Sequence, residues 1–209
     1  MASHFLRIAA SDAARDAQTA AGSRASYARM EAKGEGADRL GAAEAAFIAA
    51  RDSFYIASVN PDGWPYIQHR GGPAGFLRVL DAQRLGFADF AGNRQYLTLG
   101  NVDTDDRVAL FLMDYPNRRR LKLLGRMHVA DEATVAALAE PGYRARVERG
   151  FVIEVAAFDW NCPQHITPRF TEAELAPALA PISQKLDALD RENIALRARI
   201  AELEQEKRP

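Results

Sequence analysis

The sequence predicts a mainly β protein: an antiparallel β-barrel of six to seven strands, with flanking helices and a C-terminal coiled-coil helix. Three observations carry this. Between Phe54 and Phe158, short strand-like runs recur at hairpin spacing, separated by Gly, Pro, Asn and Asp, which favours an antiparallel barrel over a βαβ fold. An apolar fraction of 48% beside 26% charged residues supplies ample material for one core in a 209-residue chain. From Ile182 onward the pattern changes to a heptad. The expected organisation is therefore an N-terminal arm (residues 1–41), a barrel domain (42–180) and a tail (181–209).

A net charge of -1 gives no reason to invoke nucleic acid or an anionic membrane as partner. The single cysteine, Cys162, excludes an internal disulfide framework and fits a reducing, cytoplasmic location. No continuous apolar segment opens the chain, so neither a signal peptide nor a membrane-spanning helix is expected.

Residues 1–41 are rich in Ala, Ser, Arg and Asp and end in Gly34-Glu35-Gly36. Alanine favours a surface helix over Ala9–Ala21, and the arm reads as either a partner-covering extension or a partly disordered segment. Ala42–Arg51 lacks breakers and predicts a helix that packs Phe47 and Ile48 onto the barrel. Phe54–Val59 is the first strand. Asn60-Pro61-Asp62-Gly63 then turns the chain, Pro presetting φ and Gly accepting a positive one. In the second strand, Trp64–Arg70, Tyr66, Gln68 and Arg70 share one face, and Ile67 and His69 the other. Phe76–Leu80 and Leu85–Phe90 form a further hairpin. Tyr96–Gly100 opens a loop leading to Arg107–Tyr115, apolar on both faces and therefore an interior strand. Leu121–Val129 alternates, with Arg120, Lys122, Arg126 and His128 opposite the apolar set. Ala133–Arg149 is helical in character, broken at Pro141-Gly142, and Phe151–Phe158 is the last strand.

Chemistry concentrates in a few blocks. Gly92-Asn93-Arg94-Gln95 joins a turn to a planar, permanently charged guanidinium, a combination suited to phosphate. Arg118, Arg119, Arg120 and Lys122 form a cationic run that otherwise reads as a solvated face. His69 and His165 are the candidates for proton transfer, as histidine titrates near neutrality, although a strand histidine more often serves as a structural hydrogen-bonder. No CxxC or HExxH spacing supports a metal site, and no positioned base makes Cys162 a nucleophile.

These blocks resemble the FMN-binding split barrel of the pyridoxamine 5′-phosphate oxidase-like superfamily, over about residues 42–171. The closest pattern is the subgroup carrying GWPYxQHRGGP, GNRQY, LFLMDYPNRRRLK and FDWNCPQHITPR. The resemblance implies a homodimer with FMN at the subunit interface and flavin-dependent redox of a small organic substrate, with NADH or NADPH as possible reductant. It places the phosphate and ribityl contacts at Asn93, Arg94 and Gln95, where better-known members carry Ser-Arg-Lys. Another cation must then replace the missing lysine, and Arg119, Arg120 and Lys122 are the candidates. It lays Gln68, His69, Arg70 and Gly71 along the isoalloxazine ring, with Gly71 and Gly72 offering backbone N–H groups. Trp160 walls the ring, and Gln164 and His165 face substrate. Gln68 and Pro73 replace the Arg and Lys of the true vitamin B6 enzymes, and their Trp-Arg ending is absent, so that particular activity is not expected. A non-catalytic flavin sensor or carrier, or a barrel for haem or a deazaflavin, are the alternatives.

The tail places Leu186, Asn193 and Ile200 at a and Ile182, Leu189, Leu196 and Leu203 at d. Leucine at d with one asparagine at a selects parallel dimers in register. Lys185–Asp190, Glu192–Arg197 and Arg199–Glu204 supply g–e′ pairs of opposite sign. The rival reading is an amphipathic helix packed on its own barrel.

Overall fold

The computed structural model describes residues 3–32, 36–160 and 163–206. Gly34 and Glu35 of the flexible run, and Asn161 and Cys162, lie outside the described residues. Two compact units result, Met1–Ile166 and Thr167–Pro209.

The first unit opens with three short helices, α1 (Ser3–Ala9), α2 (Asp12–Ala20) and α3 (Arg24–Glu31). The surface helix expected over Ala9–Ala21 is present as α2 and starts later, at Asp12, because Ser11 caps it by accepting from the Ala14 N–H at 3.2 Å. Arg24 pairs with Glu31 at 2.6 Å and ties the arm to itself. Helix α4 (Ala42–Ala49) buries Phe47 and Ile48.

The barrel consists of β1 (Ser53–Val59), β2 (Pro65–Gly71), β3 (Leu77–Val79), β4 (Arg84–Phe90), β5 (Arg107–Asp114), β6 (Arg119–Val129) and β7 (Val147–Trp160). They form one antiparallel sheet in the order β2-β1-β5-β6-β7-β4-β3. The sheet curls. Phe54 of β1 meets Phe87 of β4 edge-on at 5.2 Å, and Arg70 of β2 pairs with Asp89 of β4, although these strands are remote in the sheet order. Strands β2 and β3 remain unpaired edges, so the barrel is split. Its core is Phe54, Ile56, Phe76, Leu85, Phe87, Leu110, Leu112, Leu121, Leu123, Phe151 and Ile153. The β1–β2 hairpin turns at Gly63, whose φ of 85° suits glycine.

Two expectations fail in instructive ways. Leu97–Thr104, expected as a loop, is helix α5. Its Thr and Gly are poor helix formers, and its side-chain contacts compensate: Thr98 Oγ1 donates to Gln68 Oε1 at 2.8 Å, and Asn101 Nδ2 to the buried Ser58 Oγ at 2.9 Å. The helical stretch expected to reach Arg149 stops with α6 (Glu132–Leu138), capped by Asp131. Val147–Arg149 instead begin β7, recruited by pairing with Phe90 and Asp89 of β4.

Strand β5 lies inside the sheet as its composition predicts, but its two faces differ. Val108, Leu110 and Leu112 are buried, whereas Ala109, Phe111 and Met113 are half-exposed. Tyr55 and Ile67 are exposed on the same outer face.

The second unit is dominated by α7 (Glu172–Glu206). It starts well before the Pro181 boundary drawn from sequence. Thr171 accepts from the Glu174 N–H at 3.2 Å while Glu174 accepts from the Thr171 N–H at 2.8 Å, a reciprocal capping box. Among the described residues no helix is long and apolar enough to cross a membrane.

Candidate functional site: a guanidinium-lined cleft

The split between β2 and β4 opens a cleft of about 270 Å³. Its walls follow from strand alternation. Gln68 and Arg70 project from β2, Asp89 from β4 and Arg149 from β7, and the turn after β4 supplies Gly92 to Tyr96. Of the residues expected to bind cofactor, Gln68, His69, Arg70, Gly71, Asn93, Arg94 and Gln95 all line this one cleft.

The electrostatics are built around one buried carboxylate. Asp89 accepts from Arg70 Nη1 and, at 2.7 Å, from Arg149 Nη1. Arg149 also reaches Glu148 at 3.3 Å and lies over the Tyr96 ring at 4.8 Å. Lining cations Arg70, Arg94 and Arg149 against lining acids Asp89 and Glu148 leave one positive charge. That surplus belongs to Arg94, whose guanidinium has no ion-pair partner among the described residues. Arg94 (φ 60°) and Tyr96 (φ 53°) both adopt the left-handed region that non-glycine residues avoid. The Gln95 N–H closes the turn onto Asn93 Oδ1 at 3.2 Å. Arg70 Nε is buried without a hydrogen-bond partner among the described residues, a donor whose desolvation is uncompensated.

His69 borders the cleft, but its ring packs edge-on against Tyr55 at 5.5 Å, its cross-strand neighbour. Gly72, expected to offer its N–H to a ring, donates it to the Asp52 carbonyl at 2.9 Å. The remaining candidates are not brought to this cleft within one chain. Arg119 stacks over Trp160 at 4.6 Å, and Trp160 Nε1 donates to Glu44 Oε1 at 2.7 Å. Burial pushes the Glu44 carboxyl up, but the hydrogen bonds from Trp160 and the Gly41 N–H outweigh it and hold the group below its ordinary value. Lys122 pairs with Asp159 at 2.5 Å and lies 4.8 Å from the Phe5 ring. Arg120 lies over Phe111 at 5.6 Å. Gln164 and His165 occupy an exposed turn after β7, His165 with φ 62°.

Sequence reasoning missed Asp89, Thr98, Glu148 and Arg149. Asp89 left a trace, a lone charge inside the apolar run Phe87-Ala88-Asp89-Phe90. Arg149 left none, because its partner is 60 residues away. Among the described residues no group of His, Cys, Asp and Glu is arranged to hold a metal.

The fold and cleft define a split-barrel protein with an arginine-lined groove at the open edge of its sheet. The sequence profile of the pyridoxamine 5′-phosphate oxidase family matches residues 40–158, and the chain belongs to that family. No curated protein matches it. Similar solved structures include HupZ of Group A Streptococcus, at 14% identity and a TM-score of 0.48 over 63% of this chain and 100% of that one. An F420 reductase matches at 22% identity and TM-score 0.37, covering 54% and 93% of the two chains. An FMN-binding protein from Syntrophomonas wolfei matches at 9% identity and TM-score 0.41, covering 56% and 81%.

Proposed function

We propose that the protein is an FMN-dependent oxidoreductase acting on a small organic substrate, and that it works as a cytoplasmic homodimer. The observation that carries this is the Arg94 guanidinium, without an ion-pair partner among the described residues, on a left-handed turn that lines the same cleft as Gln68 and Arg70. The residues fit the cofactor. Arg94 would hold the phosphate as a charge-assisted donor, Gln68 would meet the polar edge of the ring through its amide, and Arg70 Nε is a donor lacking an acceptor. Bound FMN supplies hydride chemistry that no side chain here provides.

The cleft, about 270 Å³, is open along the split between β2 and β4, and a second chain would finish the enclosure. The outer face around Tyr55, Ile67 and Phe111 offers apolar surface for it, and Arg119, Arg120, Lys122, Trp160, Gln164 and His165, which lie off the chain's own cleft, would serve the partner's only by exchanging contacts they make here. A second reading, a flavin carrier without turnover, is favoured by one feature: the only histidine bordering the cleft turns its ring onto Tyr55.

FMN is expected to bind more tightly than riboflavin in a fluorescence-quenching titration. Arg94→Ala should weaken FMN by about 1.5–3 kcal/mol, the scale of a hydrogen bond to a charged group, while leaving riboflavin unchanged. Equal affinities for the two flavins would refute the phosphate assignment. Anaerobic bleaching of the flavin by NADH or NADPH, followed by reoxidation on adding an acceptor, separates enzyme from carrier. Pyridoxamine and pyridoxine 5′-phosphates should be turned over poorly or not at all, given Gln68 and Pro73; efficient oxidation of either would show those departures to be tolerated.

A further inference from the structure

Helix α7 shows more than its heptad. Because it begins at Glu172, the repeat extends N-terminally, adding Leu175 at d and Leu179 at a to the positions from Ile182 to Leu203. The apolar members of this stripe are all exposed along α7. Two prolines lie inside the helix, Pro177 and Pro181. Each removes a backbone donor and crowds the preceding turn, yet in this register they fall at f and c, away from the stripe. The only interruptions of the helix are therefore on the side that a partner helix would not touch.

The charges name the occupant. Among the described residues Lys185, Asp190, Glu192 and Arg197 form no ion pair within their own chain. At g and e they are five residues apart, the spacing at which g of one helix meets e′ of a parallel copy. Asn193, at a, turns its amide back onto its own Leu189 carbonyl at 3.2 Å, leaving its side-chain oxygen for a neighbour. A helix packed on another surface of its own chain would need neither the g–e′ complementarity nor a lone asparagine at a.

We propose that α7 forms a parallel, in-register two-stranded coiled coil with a second copy of this chain, with a seam running from Leu175 to Leu203. From Leu175 to Leu203 the seam is about 42 Å long at 1.5 Å per residue, within a 35-residue helix. The zipper does not depend on the identity of the cleft ligand.

The test uses the full chain in a Cys162→Ser background. Leu203→Cys, at a terminal d position, should oxidise to a covalent dimer, because only a parallel, in-register pair brings that end of both helices together. Ala198→Cys, at the outward f position, should cross-link at least about tenfold more slowly, since outward positions of such a pair do not approach disulfide distance. Adding Glu192→Arg to the Leu203→Cys chain should slow the reaction several-fold, and adding Arg197→Glu as well should restore it. Failure of Leu203→Cys to cross-link, equal rates at the two positions, or absence of charge-swap rescue would each overturn the zipper. These readouts are independent of flavin affinity, so a failed cleft assignment and a failed zipper are distinguishable.

Discussion

Asp89→Ala is expected to lower the unfolding free energy of the barrel unit by about 3–5 kcal/mol, the range for removing one partner from a buried charge cluster. The Asp89 side chain is 8% exposed, and its two guanidinium partners, Arg70 and Arg149, are 16% and 19% exposed. One carboxylate thus bridges two cations held close together on strands that are not neighbours in the sheet order, β2 and β7. Without it, both keep part of their desolvation cost and repel each other across the split. Asp89→Asn should recover only part of the loss, because the amide oxygen still accepts a hydrogen bond but carries no charge. Urea midpoints of the three proteins test this, and an unchanged midpoint for Asp89→Ala would refute it. Inorganic phosphate should stabilise Asp89→Ala more than the unaltered protein, as the anion would take the carboxylate's place between Arg70 and an Arg149 still held by Glu148.

Gly125→Ala is expected to cost about 3 kcal/mol, at the upper end for overpacking a core. Gly125 lies in β6 where the pairing with β7 slips: Leu124 faces Ala157 but Gly125 faces Val155, leaving Ala156 as the extra residue of a bulge. A Cβ on Gly125 would sit 2.6 Å from the Glu154 carbonyl oxygen and 2.8 Å from Ile153 Cγ2. The first of these is backbone in a central pair of strands and cannot rotate away. Gly100→Ala is the matched control. Its Cβ meets nothing within 4 Å, and within α5 alanine should be neutral or stabilising by up to about 1 kcal/mol. Thermal melts of the two variants should therefore move in opposite directions or by very different amounts; a Gly125→Ala melt that overlays the Gly100→Ala melt would show that the bulge can relax.

Much of this protein was legible from its residues in order. The alternation in Trp64–Arg70 and Leu121–Val129, the Asn60–Gly63 turn and the apolar Val108–Met113 run each reflect local geometry, in which side chains at every second position share a face whatever surrounds them. The block Gly92–Gln95 declared itself for the same reason, since a turn and a guanidinium need no distant partner to suggest an anion. The capping box Thr171-Glu172-Ala173-Glu174 was equally local, and would have started α7 at its observed residue.

What the order of residues could not decide is which groups meet across the split. Asp89 and Arg149 are far apart in sequence and become one cluster only because β4 pairs with β7 and the sheet curls β2 toward them. Leu97–Thr104 has weak helical preference and is helical because Gln68 and Ser58 hold its polar side chains. Arg120 and Lys122, adjacent in character to Arg94 on paper, lie elsewhere on the chain because β6 and β4 are separated by β7 in the sheet. Short-range periodicity and turn chemistry determined the elements and the Gly92–Gln95 turn; the closing of the sheet, a long-range packing event, decided which cleft charges are paired, Arg70 and Arg149 with Asp89, while Arg94 has no ion-pair partner among the described residues.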